Sequence, residues 1–166
     1  MEITGNGLVE LMFLSMTDNR IVETINNLGL EQPTIDEQYE LDLKVRVADK
    51  DNNGITFIFK EIDGYTSDGE PCLTQIDFYN KCKIKLPYAL SFDDDYKTCC
   101  KKFGKEADYI DKWMKKGRIW LKTTEEGLDF LVVVHFIDKE FSQLQRIIVV
   151  KLNKEDIGDT LFENKE

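Results

Sequence analysis

Three consecutive aspartates, Asp93, Asp94 and Asp95, are the side chains best placed by type and spacing to do chemistry in this chain. Neighbouring carboxylates can divide general-acid and general-base work when their surroundings separate their pKa values. The same trio stands just ahead of a helix-compatible run, where a carboxylate accepts free backbone N–H groups and meets the positive end of the helix dipole. Capping accounts for Asp93 without any substrate, so the trio is expected to start a helix and to meet a partner rather than to catalyse. His135, the only histidine, falls inside the most apolar stretch, out of phase with Phe130, Val132, Val134 and Phe136. That is the pattern of a hydrogen-bonded sheet histidine, and no Ser or Cys nucleophile is tied to it by a known motif.

Asp49, Asp51, Asn53 and Gly54 match the opening landmarks of a calcium loop, but the twelfth position, which needs a bidentate Glu, is Lys60. Both flanks read as strands, and Asp, Asn and Gly are what a tight turn wants in any case. Cys72, Cys82, Cys99 and Cys100 show no CxxC spacing, so they are expected as free thiols. Phosphate loops of the GxGxxG and GxxxxGK[ST] kinds do not occur. No metal, no cofactor and no enzyme activity is expected.

Charge is the stronger signal. The net charge is −10, and it is unevenly spread. The first 40 residues hold eight carboxylates against Arg20 alone, whereas Lys97 to Arg118 holds eight basic residues against Glu106, Asp108 and Asp111. An acidic surface repels nucleic acid and anionic membranes and speeds the capture of basic proteins. The basic run, with Tyr109, Trp113 and Trp120 nearby, could stack single-stranded nucleic acid, a reading that ten net negative charges oppose. No apolar run approaches membrane-spanning length. The start, MEITGNGLVE, lacks the basic and apolar regions of a secretory signal, so a cytoplasmic chain is expected.

The elements that must position these residues are written twice. Gly7 to Gly29 and Leu86 to Gly104 each contain an apolar approach, a Leu-Ser pair (Leu14-Ser15, Leu90-Ser91), a helix-start signal, about ten helix-compatible residues and a closing Gly. The first approach reads as either a strand or a helical turn, followed by a helix from Thr17 or Asp18 to Leu28. The second copy predicts a helix over Asp94 to Phe103 with Tyr96, Cys99, Cys100 and Phe103 on its apolar stripe. Alternation predicts a strand over 39–47, and runs bounded by turn signals predict strands over 55–62 and 72–80 in the first half and over 118–123, 128–138 and 141–152 in the second, with 128–138 apolar on both faces and therefore central. Leu161 and Phe162 are expected to dock a last helical turn. Gly29 to Gly54 spans 25 residues and Gly104 to Gly127 spans 23, a recurrence that predicts an internal repeat. The expected fold is α+β: a single domain, 1–166, built from two tandem units (about 7–80 and 86–152), each a curved three-stranded antiparallel sheet packed with one helix.

The phrase LPYALSFDDD, then CCKKFG, a Trp, a hairpin and the closing strand IIVVKL together resemble immunity proteins of bacterial toxin systems, including contact-dependent growth inhibition. That resemblance implies a small acidic cytoplasmic protein that binds a cognate toxin domain, often a nuclease, and blocks its active site. Complementary charge would add association rate and specificity. The expected partner contacts are Asp93, Asp94 and Asp95, the Asp49–Asp51 turn, and Asp68 with Glu70 in the long hairpin loop. The alternative is a single-stranded nucleic-acid binder using the Lys97–Arg118 face.

Overall fold

A computed structural model describes residues 2–31, 33–35, 46–48, 54–62, 70–112 and 116–164. The chain is α+β with antiparallel strands, and it divides into two compact units, residues 1–77 with 81–87, and residues 78–80 with 88–166.

In the first unit the apolar approach begins as a helix and ends in turns bonded to Leu73. Helix α1, Gly5–Val9, starts at Thr4, whose hydroxyl accepts the Gly7 N–H at 3.2 Å. Gly5 is required there because a Cβ would lie 2.3 Å from the Pro87 nitrogen, while its own N–H donates to the Lys85 carbonyl at 2.7 Å. Helix α2, Asn19–Asn27, is capped by Asp18, and Ile21 and Ile25, one turn apart, turn its apolar stripe into the core. Strands β1 (Thr34–Ile35), β2 (Arg46–Ala48), β3 (Ile55–Lys60) and β4 (Cys72–Tyr79) lie in that order. Most of the alternating segment 39–47 and the 49–53 turn fall outside the described residues. Ile55, Phe57 and Phe59 are buried on one face of β3 and Ile58 on the other, between the half-buried Thr56 and Lys60.

The second unit is a longer meander. Strands β5 (Tyr109–Asp111), β6 (Gly117–Thr123), β7 (Asp129–Phe136), β8 (Leu144–Lys151) and β9 (Leu161–Glu163) take the order β8-β7-β6-β5-β9. Trp120 pairs with Val132, and Val132 with Val149, which puts one apolar row under helix α3, Tyr96–Phe103. The opposite face carries Ile119, Leu131, Val133, Ile148, Leu152 and Leu161 as a second buried cluster. The expected last helical turn at Leu161 and Phe162 is instead β9, paired antiparallel with β5. Three residues are too few to show a period, so only the partner strand decides such a segment.

Both units hold the same local device. Asp18 N–H donates to the Ser15 carbonyl at 2.9 Å, and Asp94 N–H to the Ser91 carbonyl at 3.0 Å. Each Leu-Ser turn then holds the start of its unit's last long strand. Leu73 N–H donates to the Leu14 carbonyl at 2.9 Å, and Leu144 N–H to the Phe92 carbonyl at 3.1 Å.

Gly54 sits at φ +81°, and a Cβ on it would meet the Cys82 nitrogen at 2.4 Å, whereas Gly29 at φ +67° has open space around it. Gly29→Ala is therefore expected to cost about 1 kcal/mol, the strain of a left-handed L-residue alone. Gly54→Ala is expected to cost more than about 2 kcal/mol, because backbone must also move. Urea unfolding of both variants checks the order, and equal losses would contradict the close approach at Cys82.

Candidate functional site

Helix α3 and its approach position the second-unit candidates. The three aspartates have three different environments. Asp95, not Asp93, is the N-cap: its carboxylate accepts the Thr98 N–H at 2.7 Å, and the helix begins at Tyr96. The helix start therefore lies two residues later than expected. Asp94 is buried, and one of its oxygens accepts both the Ser91 N–H at 2.9 Å and the Lys102 ammonium at 2.7 Å. This carboxylate ties the turn before the helix to the last turn of the helix itself. Asp93 is exposed, and its carboxylate has no hydrogen bond or ion pair among the described residues. Capping and closure thus consume two of the trio, and Asp93 takes part in neither.

Of the other expected contacts, Asp49, Asp51 and Asp68 lie outside the described residues. Glu70, in the first unit, accepts hydrogen bonds from the Ser15 and Thr17 hydroxyls. Those bonds hold its carboxyl below the usual glutamate range. Glu70 therefore fastens the first Leu-Ser turn to the chain entering β4.

The basic segment also divides. Trp120 is fully buried: Phe103 stacks on it with centroids 4.2 Å apart and planes 16° from parallel, and its Nε1 donates to the Lys105 carbonyl at 3.1 Å. Arg118 is buried with its guanidinium 4.3 Å from the Phe141 ring centroid and 5.9 Å from that of Tyr96. Both belong to the floor under α3, so neither offers a surface to a nucleic-acid base; Trp113 lies outside the described residues. Exposed cations remain at Lys97, Lys101, Lys105, Lys112 and Lys116, and Lys102 is held by Asp94.

One surface was not singled out by sequence reasoning. Lys122 lies 5.2 Å from the centroid of Tyr88 and 5.4 Å from that of Phe103, and those two rings are 5.2 Å apart. Tyr88 and Ala89 hold this arrangement with consecutive left-handed backbones, φ 59° and 57°. Burial, with a smaller contribution from the neighbouring Lys105 charge, lowers the Lys122 pKa. The spacing of Trp120 and Lys122, two apart on β6, was the available signal: both point to the helix side, one under α3 and one beyond it.

His135 is buried on β7, paired with Gly117 on one side and Arg146 on the other, with a register irregularity at its C-terminal side. Cys72 and Cys99 are buried, and burial pushes their thiols up to about 11 and about 12, so they are poor nucleophiles. Among the described residues no group of three His, Cys, Asp or Glu side chains could hold a metal ion. An apolar crevice lined by Leu11, Ile21, Thr24, Ile25, Phe57 and Phe59 contains no acid or base. No described helix is long and apolar enough to cross a membrane. Comparison with known protein families, curated proteins and solved structures gave no match.

Two measurements test this assignment. Asp94→Ala should cost about 2 kcal/mol, because it strands the Lys102 charge and the Ser91 N–H, and Lys102→Met should cost less, about 1 kcal/mol. Asp95 is held below the ordinary 3.8 by its hydrogen bonds to Thr98. A depressed carboxylate contributes stability above its unfolded pKa, and that contribution is lost as pH falls through the lower folded value. Titration of the Thr98 amide by NMR should therefore give a midpoint below 3.8; a midpoint at or above it would remove the cap.

Proposed function

We propose that this chain is a binding protein, an immunity protein that neutralises a cognate toxin domain, a nuclease, by occupying its active site in the cytoplasm. Charge is the observation that carries the reading. The net charge is −10, and exposed carboxylates at Glu10, Glu23, Glu31 and Asp93 have no ion pair among the described residues. A nuclease cleft is cationic because it binds phosphates, and an acidic partner gains association rate and specificity there. Asp93 is the foremost contact in the second unit, and the segments holding Asp49, Asp51 and Asp68 are contacts in the first. Asp94 and Asp95 hold the turn and the helix start beside Asp93.

The fold reading that accompanies it is a tandem duplication of a helix and an antiparallel meander. The recurring Ser-to-Asp turns support it, as do matched left-handed glycines, Gly29 with Gly104 and Gly54 with Gly127, at φ 67°, 80°, 81° and 87°. Single-stranded nucleic-acid binding through Lys97–Arg118 is the weaker reading, since Trp120 and Arg118 are buried.

Co-expression with the toxin encoded beside it should restore growth, and calorimetry should show tight binding that weakens as salt screens the charges. Asp93→Lys should lower the association rate by about 10-fold without changing stability. No protection and no heat of binding would reject the proposal, and a salt-dependent shift of labelled oligonucleotides would favour its rival.

A further inference from the structure

The proposed cleft partner raises a question of sign, because a nuclease active site is not uniformly cationic. Its phosphate-binding cations surround carboxylates that hold catalytic metal ions. A protein that plugs such a site meets those carboxylates as well, and needs a cation placed to face them.

The second unit holds one. Lys122 is fixed, not tethered loosely: its ammonium lies over both Tyr88 and Phe103, and Phe103 is itself stacked on buried Trp120. A cation over aromatic faces loses little freedom on binding, which lowers the entropic cost of a contact. Lys105 stands near enough to repel it, and Asp108, which accepts the Lys105 ammonium at 2.9 Å and the Leu121 N–H at 2.8 Å, offsets only part of that charge. The floor is maintained at a cost. Two consecutive non-glycine residues, Tyr88 and Ala89, hold positive φ, a strain that the surrounding structure must overcome. Tyr88 thereby becomes a ring beside Lys122 in place of an ordinary turn residue. Asp93 lies before the opposite end of α3, whose eight residues span about 12 Å. One short helix thus separates a free carboxylate from a seated ammonium.

We infer that Lys122, seated on Tyr88 and Phe103, is the cationic half of a two-signed contact surface and engages a carboxylate-bearing element of the protein partner, with Asp93 as the acidic half. The inference rests on the binding reading above and specifies the partner's chemistry. Phosphate of a nucleic acid is the competing anion. It is disfavoured because Asp93, Glu106 and Asp108 sit on the same unit and the whole chain carries −10.

The test uses the full chain, isotope-labelled, titrated at low salt with a blocked pentaglutamate peptide and separately with a pentathymidylate of similar charge. Pentaglutamate should shift the amides of Phe103, Lys105 and Lys122, and the shifts should vanish in Lys122→Met, which keeps the apolar stem on the rings. No shift at millimolar peptide, shifts that persist in Lys122→Met, or larger shifts of the same amides by pentathymidylate would each overturn the inference. Against the toxin, Lys122→Met should weaken binding about 10-fold. Toxin binding that is unchanged in Lys122→Met overturns the cationic contact and leaves the immunity reading standing. Peptide binding with no toxin binding does the reverse.

Discussion

The burial of Trp120 is the constraint on which the second unit depends. An indole can be withdrawn from water only if its N–H finds an acceptor and its faces find apolar neighbours. Here the acceptor is the Lys105 carbonyl, just past the left-handed Gly104 that ends α3, and the face is covered by Phe103 from the last turn of that helix. One side chain of β6 therefore sets where the helix ends and which way it lies. Tyr96, at the other end of α3, completes the contact with its ring 6.0 Å from Trp120 and 6.2 Å from Phe136. Its hydroxyl accepts the Ala107 N–H and the Asn164 side-chain amide, joining the helix to the chain entering β5 and leaving β9.

That arrangement decides which charges remain at the surface. With Phe103, Cys99 and Tyr96 turned inward, Lys97 and Lys101 are left on the water side, and Lys102 is claimed by Asp94. Arg118 is drawn under the helix between Phe141 and Tyr96, where cation–π contact replaces part of its lost hydration. Lys122, four residues further along the same face of β6 and next on that face after Trp120, emerges at the helix's end onto Tyr88 and Phe103. Cations that lie close together in sequence are thus sorted by the pleat of β6 into the buried Arg118 and the seated Lys122, and by the helix into the exposed Lys97 and Lys101.

The acidic trio is sorted by the same logic. A helix start has several unsatisfied N–H groups and needs an acceptor in one geometry, which Asp95 supplies. Asp94, withdrawn from water, is sustained by two hydrogen bonds, one of them from a cation, as a buried carboxylate must be. Asp93 has neither role and keeps its hydration. Adjacency in sequence gave the three residues no common function, because neighbouring side chains on a turn point in different directions.

Much of the chain's local order was legible from its residues. Apolar runs bounded by turn signals located β3, β4 and β6 to β8, the stripe of Ile21 and Ile25 located α2, and Asp18 and Gly104 marked where helices begin and end. The sequence by itself also determined the charge, because that is a sum over residues and needs no geometry. Tertiary structure alone decided that the first approach begins as a helix, that Leu161–Glu163 joins β5 as a strand, and that Asp95 is the cap. It alone buried Trp120 and Arg118 and brought Lys122 to Tyr88, 34 positions apart in the chain. Short segments and single side chains take their state from partners distant in sequence, whose packing outweighs local preferences of a fraction of a kcal/mol, about 0.7 at most for ordinary residues in a helix.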